Sequence, residues 1–429
     1  MLDLLIRHAR LPDGRTDMAI AIENGIICEV VADAGLAAQP AHQVLDANDH
    51  LVCPPFVDAH FHLDSALRHG QPRTNDSGTL LEGIALWGEL KPTLQFDAIV
   101  QTATRYCQWA VANGILAIRS HVDTSDPTLL GVEALKQVQK NVKPWLDLQL
   151  VAFPQDGLLR HPEGFGNLIR ALDLGVEVIG GIPHFERSYE AGTESVKMLC
   201  ELAAERGLMI DLHCDETDDP ASRHVETLAH EVHRLGLEGR ATASHLTSLH
   251  SMDNAYAQKL IGLIAQANLS VVSNPLINIT LQGRYDTYPK RRGLTRVPEL
   301  LEAGVTVAFG QDCVMDPWYS LGSGDLLEVA HMGLHVAQMT SLSGMHECFE
   351  AITTQPAKIL HLPRYGLAAG CRADLLILQA QTPIDAIRLR ANRLAVIRHG
   401  RCVSQTAPRT AHLQWDQQTL SIDWLNRPN

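Results

Sequence analysis

Eight short apolar runs, separated by helix-like stretches between residues 56 and 364, constrain this chain more than any other feature. They predict strands over 56–62, 115–121, 146–153, 176–182, 209–213, 241–245, 269–273 and 305–309. Helices fall between them, for instance over 194–205, ended by Gly207, and over 297–303, ended by Gly304, each followed at once by the next strand. Strands alternating with helices build parallel sheets, and eight such units close a (β/α)8 barrel. An open doubly wound sheet would need a Gly-rich phosphate turn or a switch-point crevice, and the sequence offers neither.

The two ends read differently. Leu4-Leu5-Ile6, Ala19 to Ile22 and Ile26-Ile27 are short strand candidates around an Asn24-Gly25 turn. Residues 373–378, 394–397 and Cys402-Val403 repeat the style around His399-Gly400. Both ends are therefore β-rich.

Composition narrows the function classes. With 429 residues, 45% of them hydrophobic, one large barrel and a small β domain fit the length better than three average domains. Thirty-five basic against 49 acidic residues leave a formal charge of −14, which disfavours nucleic acid or an anionic membrane as partner. The one dense basic run, Lys290-Arg291-Arg292, reads as a solvated loop. No stretch has the apolar length of a membrane helix, and the acid at Asp3 argues against a signal peptide. The nine cysteines form no C-x-x-C pair, which suits reduced thiols and a cytoplasmic location.

The chemistry-bearing residues fall at strand ends. His60 and His62 close the first predicted strand, where side chains two apart share a face and can hold one cation. His213 ends the fifth strand, His245 ends the sixth and Asp312 follows the eighth, all on the face where barrel enzymes build their sites. Together they fit a mononuclear metal centre. Glu216, three residues beyond His213, is placed to reach water at that centre without being a ligand. The fourth strand ends Gly181-Ile182-Pro183-His184 and carries no Lys that could bridge two metals, so His184 is left as a rim or packing residue, with substitute ligand as the alternative.

With these segments in view, the chain resembles the amidohydrolase superfamily and, within it, is similar to the bacterial cytosine deaminases. The resemblance rests on CPPFVDAHFHLD, SHVDTSD, LQLVAFPQDG, GGIPHFE, DLHCDETDD and ASHLTSLHS at the first six strands. NPLINITLQGRYDTYPKRRGLTRV and FGQDCVMDPWYSLG complete it. It implies a metal-bearing barrel over 56–364 and a β-sandwich from residues 1–55 and 365–429. It further implies His60, His62, His213 and Asp312 as ligands of one divalent ion, Fe2+ or Zn2+. Glu216 would be the acid/base, His245 the residue that orients the attacking water, Asp312 the group that protonates the departing amine. Gln155 would read the pyrimidine edge, because its amide both donates and accepts, and Trp318 would wall the pocket. A homo-oligomer acting on a free pyrimidine base and water, without nucleic acid or membrane, is the implied assembly.

One departure stands out. The family's usual last-strand pattern has His before the ligand Asp and a second Asp after it, whereas this chain reads Gly310-Gln311-Asp312-Cys313. A buried cysteine behaves as a small hydrophobe, so a methyl group on the ring could take the freed space. That points to cytosine and 5-methylcytosine as substrates. The alternatives are an aminohydrolase for another heterocycle (purine, isoguanine, pterin, creatinine-like ring or triazine) and a non-catalytic metal-binding member. The latter would be expected to have lost Glu216 or a ligand, and none is lost.

Overall fold

The computed structural model describes residues 1–416 and 418–425. Eight parallel strands follow one another in sequence order: Phe56–Phe61, Ile115–Asp123, Asp147–Phe153, Val178–Gly181, Met209–Cys214, Ala241–His245, Ser270–Ser273 and Thr306–Phe309. Every residue of the first two is buried, as strands covered on both faces require. Helices between the strands cover the outside, giving the (β/α)8 barrel expected from the alternation. The helix expected over 194–205 begins earlier, at Tyr189, because the Ser188 side chain accepts the Ala191 N–H and caps it there. It ends where expected, at Gly207 with φ +65°.

The barrel closes in an unusual place. Its first and last strands meet through an isolated bridge between Phe61 and Asp312, in which the Asp312 N–H donates to the His60 carbonyl at 2.9 Å. The Asp58 carboxylate reinforces the seam by accepting the Gln311 N–H at 3.0 Å. Closure therefore falls on the residues singled out for chemistry. One layer further in, Arg119 is wholly buried, donating to Asp211 Oδ2 (2.9 Å), Gln149 Oε1 (2.7 Å) and the Ile359 carbonyl (3.1 Å).

Strands from both chain ends form a β-sandwich beside the barrel. One sheet is ordered Ile26–Ala32, Met18–Glu23, Leu2–Ala9, Ala41–Asp46; the other Arg401–Gln405, Arg393–Arg398, Leu375–Leu378, Leu51–Cys53. Leu4, Ile6, Ile20 and Ile22 share a core with Val52, Leu375, Ile377 and Ile397. Both expected turns have positive φ at their two tip residues, Asn24 (+53°) and Gly25 (+73°), His399 (+49°) and Gly400 (+74°). That is the hairpin geometry matching the strand twist. Ala41–Asp46, Leu51–Cys53 and the hairpin of Ala411–Trp415 with Gln418–Ile422 are additional to the sequence reading. Ala41–Asp46 mixes polar and apolar residues and is largely exposed, and its strand form comes from parallel pairing to Leu2–Ala9. All nine cysteines are unpaired. Among the described residues no helix is long and apolar enough to cross a membrane.

Candidate active site

The strand ends bring the nominated residues together. His60 and His62 lie at the end of the first strand, and the His62 and His213 Nε2 atoms are 3.1 Å apart. Asp312 Oδ1 is 3.5 Å from His60 Nε2 and 3.4 Å from His62 Nε2, and Asp312 Oδ2 is 3.7 Å from His245 Nε2. The Glu216 carboxylate meets His245 Nδ1 at 3.2 Å. His245 (φ +71°) and Asp312 (φ +65°) both occupy the left-handed region, each at a cost of roughly 1–3 kcal/mol that the surrounding packing must hold.

Glu216 is placed by its neighbour. Asp215, at φ +55°, turns the chain as the fifth strand ends. Its carboxylate accepts the His224 and Val225 N–H groups (3.0 and 2.9 Å) at the start of the helix His224–Leu235, and the Ser222 hydroxyl at 2.6 Å. So anchored, the turn leaves Glu216 facing the barrel axis.

His62, His213, His245, Glu216, Asp312, Gln155, Cys313 and Trp318 line one small cavity, and Leu80, Ile182, Ile277 and Leu281 supply its apolar remainder. Its open volume is about 20 Å³, little more than one water needs. A vestibule of about 570 Å³ adjoins it, sharing Leu80, Glu216 and Leu281. Trp318 is seated by the Asp316 carboxylate, which accepts its backbone N–H at 2.9 Å, and by Gly83, where a Cβ would sit 2.2 Å from the indole Cδ1. Gln155 and Cys313 are buried in the cavity wall, the Cys313 thiol donating to Asp312 Oδ1 at 3.5 Å. His184 stands apart in the vestibule, its Nδ1 donating to the His213 carbonyl at 3.2 Å.

The basic run over 290–292 is exposed, and it also staples its own loop. Lys290 donates to the Gly283 and Asp286 carbonyls, and Arg291 pairs with Asp286 and reaches the Asp218 carbonyl (3.2 Å) and the Ser251 hydroxyl (2.6 Å). One wall of the vestibule is thereby tied to the loop that carries Glu216.

Burial sets the charge states. It pushes His62 down to about 3, and His60, His213 and His245 well below the ordinary imidazole range, with their mutual repulsion adding to it. These rings are neutral and offer lone pairs. Burial lifts Glu216 to about 8 and, with the nearby Glu216 charge, holds Asp312 well above the usual carboxylate range.

The donor set fits a divalent cation. His60, His62 and His213 offer nitrogens within 4.8 Å of one another, His60 Nε2 is buried without a hydrogen-bond partner, and a carboxylate stands beside them. His60, His245 and Asp312 form a second such trio, so distance alone does not choose between His213 and His245.

A model of the amidohydrolase family matches residues 43–405. The chain belongs to the amidohydrolase family. The sequence resemblance stands on that match, and with it an enzyme that hydrolyses C–N bonds using a divalent metal. Among solved amidohydrolases, 5-methylcytosine deaminase from Klebsiella pneumoniae liganded with 5-fluorocytosine is 40% identical, with a TM-score of 0.93 over 96% of this chain and 100% of that one. Pterin deaminase of Rhizobium rhizogenes is 29% identical over 92% of this chain and 90% of its own length. N-isopropylammelide isopropyl amidohydrolase of Pseudomonas sp. is 27% identical over 94% and 97%.

Several residues of the amidohydrolase site carried no signal in the sequence reading. His121 lies within the second barrel strand, Ile115–Asp123, inside the quoted SHVDTSD segment. Its ring lies 4.3 Å from that of His60 and 4.6 Å from that of His213, with both nitrogens unpartnered. Its position two residues beyond the inward-facing Arg119 could have marked it. Ser244, Asp211, Asn274 and Asn278 are ordinary polar residues in sequence, and only the fold sets them behind the imidazoles.

Proposed function

We propose that this chain deaminates free cytosine and 5-substituted cytosines such as 5-methylcytosine, giving uracil or thymine plus ammonia. The observation that carries the reading is one small cavity in which a neutral amide, Gln155, and a neutral thiol, Cys313, face the acid Glu216 and the His/Asp cluster. The 40% identity to a 5-methylcytosine deaminase supports the same substrate class.

His60, His62, His213 and Asp312 would hold the metal, Fe2+ or Zn2+. When bound, it supplies a Lewis acid that lowers the pKa of water to about 7. Glu216, protonated at neutral pH, gives its proton to the ring nitrogen beside the amine-bearing carbon, which makes that carbon electrophilic. His245 donates from Nε2 to the oxygen as it adds. Asp312 takes a proton from the attacking water and passes it to the amine, ammonia leaves with the bonding pair, and the second water proton, lost as the new carbonyl forms, restores Glu216. Gln155 meets the carbonyl and adjacent nitrogen of the ring with its paired donor and acceptor. Cys313 leaves room for a 5-methyl group. A homo-oligomeric, cytoplasmic enzyme belongs to the same reading.

Ammonia release is to be measured with metal-replete protein on cytosine, 5-methylcytosine, 5-fluorocytosine, isoguanine, pterin and creatinine. The pyrimidines should lead in kcat/KM; a pterin or isoguanine preference would overturn the assignment. For the ligand set, His62→Ala should deplete the metal by elemental analysis while the protein stays folded. Full metal content in that variant would move the centre elsewhere.

A further inference from the structure

The cluster contains two imidazoles that face the same aspartate, and the groups behind them set opposite tautomers. Behind His60, Nδ1 meets the Ser244 hydroxyl at 3.0 Å. That hydroxyl has one hydrogen, and it goes to Asp211 Oδ1 at 2.7 Å. His60 Nδ1 must therefore be the donor, which leaves Nε2 bare towards Asp312.

Behind His245 the polarity is reversed. Asn278 Nδ2 lies 2.9 Å from His245 Nδ1. The orientation of that amide is not free, because its Oδ1 accepts the Asn274 backbone N–H at 3.1 Å, a position only an oxygen can fill. The amide nitrogen has hydrogens and no lone pair to offer, so Nδ1 of His245 is the bare nitrogen and the ring proton sits on Nε2, towards Asp312. Asn274 Nδ2 is 3.3 and 3.4 Å from the two ring nitrogens and favours neither. Local structure enforces the arrangement. Asn274 precedes the helix Pro275–Leu281, and the step of four residues stacks the Asn278 side chain on the free N–H at the helix start.

We infer that Asn278 is a positioning residue that holds His245 in its Nε2–H tautomer, making it a hydrogen-bond donor to the attacking oxygen and keeping it out of the metal-ligand set. The inference rests on the proposed place of His245 beside the attacking water. It supplies what distance leaves open, since the rings of His213 and His245 lie 4.6 and 4.8 Å from that of His60 and only His245 has an amide donor at Nδ1. Glu216 Oε1, also beside that nitrogen, bonds to it only while carrying its own proton, so loss of the proton to substrate breaks the contact.

The test compares two variants. Asn278→Ala removes the donor and should lower kcat about 10- to 100-fold, with KM and metal affinity, read by chelator competition, close to wild type. Asn278→Asp keeps the shape and the bond to the Asn274 N–H but offers an acceptor, so it should be worse than alanine, by up to about 10⁴-fold against wild type, as for an imidazole held in the wrong tautomer. A structural role alone predicts the reverse order, and Asn278→Asp as active as Asn278→Ala would overturn the inference. Nitrogen-15 spectra of histidine-labelled protein, assigned by difference against His245→Gln, read the wild type directly and do not depend on either variant folding. A proton on Nδ1 would sink the inference. Undiminished turnover in His245→Gln would instead remove the reading on which it rests.

Discussion

In the terminal sandwich, buried positions are filled by Leu4, Ile6, Ile20 and Ile22 against Val52, Leu375, Ile377 and Ile397, and the positive φ angles at Asn24-Gly25 and His399-Gly400 serve hairpin tips. At the barrel rim, equally deep burial encloses His60, His62, His213, His245, Glu216 and Asp312, and positive φ falls on His245 and Asp312 themselves. The same removal from water has different consequences in the two places. In the sandwich it contributes stability. At the rim it perturbs all six of these titratable groups, at a cost in stability offset by packing and by whatever cation the cluster takes up.

Glu216→Gln separates the two regions most sharply. It keeps the shape of the side chain and cannot shuttle a proton, so kcat should fall about 10²- to 10⁴-fold with metal content and melting temperature near wild type. Turnover within a few-fold of wild type would show that the rim's buried acid is structural after all. Leu4→Ala is the converse change. It should lower stability by about 2–5 kcal/mol in denaturant titration while kcat of the folded fraction holds. A parallel fall in kcat would mean that the two regions are coupled.

The rim also gives a pH signature. Burial raises Asp58 and Asp64 to about 7 and Glu216 to about 8. For an acid whose folded pKa is raised, the unfolded chain holds fewer protons above its own pKa near 4, so stability falls as pH rises through the folded value. The neutral histidines act with the opposite sign, but only below about 6.5. Metal-stripped protein should therefore melt at progressively lower temperature from pH 6.5 to 8, and added metal should flatten the slope. A rising melting temperature over that window would contradict the burial argument.

Smallest is the effect at Cys313. Restoring a carboxylate in Cys313→Asp should reduce kcat/KM for 5-methylcytosine relative to cytosine by about 10- to 200-fold, the 1–3 kcal/mol worth of one methyl in an apolar pocket. An unchanged ratio would mean that the thiol does not face the ring's substituent.

The barrel was legible because its signal is local and repeated. Apolar runs at strand length, alternating with helical stretches of which two end at Gly207 and Gly304, placed the start of every barrel strand within two residues of where it lies. His60, His62, His213, His245 and Asp312 stood out because strand ends are where a barrel exposes side chains. Ala41–Asp46 could not be read, since its mixed, largely exposed residues become a strand only on pairing with Leu2–Ala9. Nor could Ser244 or Asn278. Their importance lies in a contact made 184 residues away from His60 in one case and 33 from His245 in the other.

The sequence by itself determined the architecture and the chemical inventory, because hydrophobic period and side-chain identity are properties of short stretches. Only the tertiary structure decided that the barrel seam closes on Asp312, that Gln155 and Cys313 share one cavity with Glu216, and that the two imidazoles facing Asp312 carry their protons on opposite nitrogens. Those are matters of which donor meets which acceptor, and a chain settles them only when residues distant along it are brought within hydrogen-bond reach.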